Sequence, residues 1–121
     1  VPVYAARGET WPANARLAEA RGMLLTMLEW RAGAVSRGVI DTWYLAYHLH
    51  DWLDPETAAH DDALFAGYGV NAILRSLRAA MSLFDEATTE TAGALSLPVL
   101  NLHDQVVDHL RTVVRPRSRQ P

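Results

Sequence analysis

The groups in this 121-residue chain that can move protons or hold cations are five histidines and fourteen carboxylates. One stretch, VIDTWYLAYHLHDWL at 39–53, sets two of those histidines and two aspartates beside Trp43, Tyr44, Tyr47 and Trp52. An imidazole in an apolar pocket is held neutral by desolvation and can act as a general base, and a nearby carboxylate can orient it. His50, Asp51 and His48 are therefore the candidate catalytic residues. Asp54, four residues after His50, is a possible orienting group but is better explained as a helix cap.

On a helix advancing about 100° per residue, Val39, Trp43, Ala46, His50 and Leu53 share one arc, with Ile40 and Tyr47 at its edge. Asp41, Tyr44, His48 and Asp51 share another, so the two histidines face nearly opposite ways and cannot chelate one metal. This geometry sends His50 into the core and makes Trp43, Tyr47 and His50 candidate walls of a ligand pocket. The plainer reading is a buried imidazole bonded to a carbonyl or carboxylate, with the His48 and Asp51 stripe as a solvated face.

Two further sets carry charge at helical spacing. Arg75 and Arg78, three apart, could clamp a carboxylate or phosphate, or could instead pair with nearby acids. His103, Asp104 and Asp108 are weak metal candidates, because His103 and His109 lie six apart on different faces and Arg111 can neutralise the Asp104 and Asp108 pair. No Gly-rich phosphate loop, GxSxG, HExxH or CxxC is present, and no motif specifies a cofactor.

The elements that must position these groups read as helices. Thr10, Trp11 and Pro12 suit a helix start, and Leu17, Leu24, Leu28 and Val35 mark a buried stripe on a helix over 12–36 ended by Arg37 and Gly38. Gly22, Thr26 and Gly33 form a second stripe where another helix could approach closely. A second helix is expected over 39–53. A third is expected over 55–87, kinked or broken near Gly67 to Gly69, with Val70, Leu74, Leu77, Met81 and Phe84 as its seam. The segment 88–97 reads as a loop, and a fourth helix over 98–114 presents Val99, Leu102, Val106, Leu110 and Val113.

These elements predict an all-α antiparallel four-helix bundle over 1–114, with 1–10 an irregular arm and 115–121 a flexible Arg-rich tail. A chain of this length buries enough surface to fold without disulfides, and it contains no Cys. All eleven basic residues are Arg, a bacterial style of usage. Four of them lie in 111–121, so removing those cations from the net −3 leaves −7 on the rest of the chain. An acidic body argues against nucleic-acid binding, and the absence of a long apolar run or a signal-like start argues for a cytoplasmic protein with no membrane contact.

The function that follows is a small interaction protein, a regulatory, immunity-type or assembly subunit, contacting itself as a homodimer or another protein. The alternative is a helical-bundle enzyme, or a small-molecule or metal binder, with a pocket lined by the second helix around His50.

Overall fold

The computed structural model describes residues 1–43, 46–98 and 103–114, with the backbone alone at 103 and 114. Its elements are α1 (Pro2–Ala6), α2 (Thr10–Ser36), α3 (Leu49–Trp52), α4 (Pro55–Ala58), a 3-10 turn (Asp61–Leu64), α5 (Val70–Ala94) and α6 (His103–Val114). The chain is all-α among the described residues, but it is not an antiparallel four-helix bundle. Two long helices, α2 and α5, form the main packing pair, and the shorter α6 packs on α1 and α5.

The missing bundle helix is the one expected over 39–53. Trp43, Ala46 and His48 all have positive φ, at 53°, 61° and 57°. A right-handed helix cannot contain such residues. The local chemistry explains the departure. The Asp41 carboxylate accepts the backbone N–H of Trp43 at 3.0 Å, a bond that competes with helical pairing. Val39, Ile40, Thr42 and Trp43 are β-branched or aromatic and favour the helix weakly. Only the single turn of α3 survives, so the two-arc wheel of this stretch does not exist in the folded chain. Tyr44, a member of its polar arc, lies outside the described residues.

Helix α2 follows its pattern more closely. Ala13, Leu17, Leu24 and Leu28 are buried along one face, while Val35, assigned to the same stripe, is exposed. Its end is a double backbone closure. Gly38 N–H reaches Gly33 O at 2.8 Å, and Arg37 N–H reaches Ala34 O at 3.4 Å, with Arg37 in the left-handed region. Among the described residues no other element packs closely on the small-residue stripe, since a Cβ added at Gly22 or Gly33 meets nothing within 4 Å.

Helix α5 continues to Ala94, through most of the segment expected to be a loop, because Ala87, Thr91 and Ala92 are buried along it and packing outweighs a weak pattern. It closes as α2 does, with Leu97 N–H on Ala92 O at 2.8 Å and Ser96 N–H on Gly93 O at 3.2 Å. The 1–10 arm is not irregular throughout, because α1 forms and buries Ala5. The expected start of the fourth helix, with Val99 and Leu102, lies outside the described residues, as does the Arg-rich tail.

Two apolar clusters hold these pieces. Ala5, Ala13, Leu17, Ile73, Leu74 and Leu77 form the first, and Leu24, Leu28, Trp52, Leu53, Ala80 and Ala87 form the second. The second cluster draws the irregular stretch onto the α2–α5 pair through Trp52 and Leu53. Arg21 clips the 3-10 turn to α2, its guanidinium lying 4.3 Å over the Phe65 ring and donating to Leu64 O at 3.3 Å. No helix among the described residues is long and apolar enough to cross a membrane.

Candidate functional site

Arg31 sits on the buried face of α2 with 7% exposure, one turn beyond Leu28. A guanidinium so placed must be paired. Its Nη2 donates to Asp54 Oδ1 and reaches Thr57 Oγ1 at 3.4 Å, while its Nε stands 3.9 Å from Glu90 Oε2. One cation thus ties α2 to the start of α4 and to the last third of α5.

Asp54 serves two structures at once. Its Oδ2 caps α4, accepting the Thr57 N–H at 3.0 Å and the Thr57 hydroxyl at 2.9 Å, while Oδ1 takes Arg31. Burial pushes this carboxyl up, but the two Thr57 bonds and the Arg31 charge outweigh it and hold Asp54 below its usual 3.8. A carboxyl depressed on folding stabilises the fold above its unfolded value and loses that contribution as pH falls through the folded one. Acid unfolding is therefore expected to steepen below about pH 3.8. The acid limb of Tm against pH, followed by circular dichroism, is expected to be flatter in Asp54→Asn.

Two grooves open on either side of this knot and share Arg31, Asp54 and Glu90. One, of about 340 Å³, runs between α2 and α3 and is largely apolar, with Leu28, Val35, Ile40 and Trp52 in its walls. The other, of about 240 Å³, lies between α4 and α5 and adds Glu56, Thr57, His60 and Glu86. Four carboxylates, from Asp54, Glu56, Glu86 and Glu90, line this second groove against the single cation of Arg31. Such a surface is suited to a ligand carrying several positive charges.

The residues singled out from the sequence lie elsewhere. His50 does not enter the core. It is exposed, and its Nε2 meets Asp61 Oδ2 at 2.7 Å. His48 is also exposed, with Nδ1 3.5 Å from Asp51 Oδ2 and its ring 4.7 Å from that of Trp43. Trp43 and Tyr47 are exposed, and so are Arg75 and Arg78 on α5. Asp108 pairs loosely with Arg111 at 3.8 Å, Asp104 is exposed, and the His103 side chain lies outside the described residues. The stretch thus brings together the pairs His50 with Asp61 and His48 with Asp51, not one composite site.

A family model described as streptomycin adenylyltransferase matches residues 1–113. The chain belongs to that family. Searches among curated proteins and among solved structures returned no match. Membership in the streptomycin adenylyltransferase family overturns the reading of the chain as an interaction protein working through protein–protein contacts, because the match spans almost all of it and names an enzyme. The alternative read from the sequence, an enzyme or small-molecule binder, is the one the family supports. Among the described residues of this family member, no three His, Asp or Glu side chains are placed to hold a metal ion together.

Sequence reasoning passed over Arg31, Glu56 and Glu90, and took Glu86 only as a possible ion-pair partner of Arg75 and Arg78. One signal was available: Arg31 continues the Leu24 and Leu28 stripe at helical spacing, and a charge on a buried face requires a partner. Glu90 lay in the segment read as a loop, so its place on α5 was hidden with that helix.

Proposed function

We propose that this chain is the acceptor-holding helical part of an adenylyltransferase whose acceptor is a hydroxylated polycation of the streptomycin type. In adenylyl transfer an acceptor hydroxyl oxygen bonds to the α-phosphorus of a nucleoside triphosphate. The bond from that phosphorus to the bridging oxygen breaks, pyrophosphate leaves, and the hydroxyl proton passes to a base. Streptomycin brings hydroxyls together with guanidinium groups, so its recognition calls for carboxylates beside an uncharged surface.

The observation that carries the proposal is the convergence of Asp54, Glu56, Glu86 and Glu90 on one groove, continuous through Arg31 with an apolar one. The acidic body of the chain, −7 outside its last eleven residues, adds long-range attraction for such a ligand. Asp54 and Glu90 already face Arg31, which leaves Glu56 and Glu86 as the carboxylates with charge to spare. His60, in the same groove, is the imidazole with the chemistry to take the hydroxyl proton.

Calorimetric titration of the chain with streptomycin tests this. Saturable binding is expected that weakens with added salt and falls at least about tenfold in a Glu56→Gln, Glu86→Gln double variant, the scale of one charge-assisted hydrogen bond. Binding at full affinity in that variant, or none to the wild type, contradicts the proposal.

A further inference from the structure

Trp52 differs from the other tryptophans in what its indole can reach. Trp11, Trp30 and Trp43 are exposed, so water can take their N–H groups, whereas Trp52 is 7% exposed. Its Nε1–H is closed off from solvent and has no acceptor among the described residues. An indole N–H donates and cannot accept, and a buried donor left unpaired is costly. The ring forms part of the wall of the groove between α2 and α3, beside Leu28, Val35, Ile40 and Leu53. The charged groups of that groove, Arg31, Asp54 and Glu90, belong also to the acidic groove.

The chemistry of this wall selects what can lie on it. A cation finds no counter-charge among Leu28, Val35 and Ile40, and stripping it of water there is costly. An uncharged group carrying a hydroxyl, ether or carbonyl oxygen meets an apolar surface and one free donor. The element that holds the donor can yield to such a group. Helix α3 is four residues long and follows left-handed Ala46 and His48, so a small rotation that brings the indole edge to the groove disturbs few backbone bonds.

We infer that the α2–α3 groove is a selectivity subsite for an uncharged, oxygen-bearing ring of the acceptor, which accepts a hydrogen bond from Trp52 Nε1. The inference rests on the acceptor reading of the acidic groove. It narrows that reading to a substrate class: polycations joined to a neutral, oxygenated ring, rather than polycations at large. Arg31 stands where the two grooves meet, and its guanidinium turns cationic groups back toward Glu56 and Glu86.

The experiment follows the indole N–H resonances by NMR while the 121-residue chain is titrated with streptomycin and, separately, with spermidine, a polycation without oxygen. The resonance missing from Trp52→Phe is that of Trp52. Streptomycin is expected to move it downfield, as a new hydrogen bond does, while those of Trp11 and Trp30, exposed on α2, stay in place. Spermidine is expected to leave it where it is. In calorimetric titrations Trp52→Phe, which keeps a ring and removes the donor, is expected to weaken streptomycin binding about fivefold and spermidine binding not at all, the scale of one neutral hydrogen bond. Circular dichroism establishes that the variant is folded. If it is not, Val35→Phe, at an exposed position in the groove wall, gives the same reading by filling the groove: weaker streptomycin, unchanged spermidine and a Trp52 resonance that streptomycin no longer moves. Streptomycin that shifts the Glu56 and Glu86 amides but leaves the Trp52 indole unmoved, as a donor held by a permanent buried water would be, overturns the inference and leaves the acceptor reading standing. Streptomycin that shifts neither overturns both. A Trp52 shift that persists in the Glu56→Gln, Glu86→Gln variant at full affinity supports the subsite, and it is then the acidic groove that falls.

Discussion

Replacing Asp54 with alanine is expected to lower the unfolding free energy by about 3 kcal/mol, whereas Arg31→Met costs about 1 kcal/mol or less. The asymmetry follows from which group each change strands. Without Asp54, α4 loses its cap, a loss of about 1 kcal/mol, and the buried Arg31 guanidinium keeps only Thr57 at 3.4 Å and Glu90 at 3.9 Å. Without Arg31, the Asp54 carboxylate keeps both Thr57 bonds and its side chain is 43% exposed to water, so little is stranded. Methionine also fills much of the vacated volume among apolar neighbours. The double variant is therefore expected to be more stable than Asp54→Ala alone, because it removes the charge that the single change leaves unpaired. Urea unfolding of the four proteins measures this directly. Equal losses in the two single variants, or simple additivity, would show that Arg31 is not held as described.

Leu17→Ala is expected to cost about 3 kcal/mol, with Tm falling by roughly 10 °C for a chain of this size. Leu17 has no exposed surface and packs with Ala13, Ile73, Leu74 and Leu77, so truncation leaves a cavity between α2 and α5. Val35→Ala is expected to change stability by less than about 0.5 kcal/mol, since Val35 is exposed. The periodicity of α2 assigns both residues to one buried stripe, and thermal unfolding of the pair separates that pattern from the packing. Similar losses at the two positions would mean that the far end of α2 is covered.

Legibility in the sequence followed the strength of local patterning. Helices α2 and the first part of α5 could be read because Leu17, Leu24 and Leu28, and then Val70, Leu74 and Leu77, recur at helical spacing. The Arg37 and Gly38 stop was equally plain. The stretch 39–53 misled because its density in large side chains resembles a core helix, whereas the Asp41 bond to Trp43 and three left-handed residues break it into turns. Its buried members proved to be Trp52 and Leu53, not His50. The acidic groove was beyond local reading, because Asp54, Glu56, Glu86 and Glu90 are assembled from α4 and α5 by long-range packing. Arg78 lines a groove between α5 and α6 together with Arg111, whereas Arg75, with which its spacing pairs it in the sequence, does not.

The central claim, that this chain holds a polycationic acceptor between α4 and α5, is tested most directly by amide chemical-shift mapping of the labelled chain during a streptomycin titration. The account predicts shifts centred on Asp54, Glu56, Thr57, His60, Glu86 and Glu90 and extending toward Trp52, with those at Arg78 and Arg111 small. Shifts confined to the α5–α6 groove, to the exposed outer face of α2, or to no region at all would contradict it.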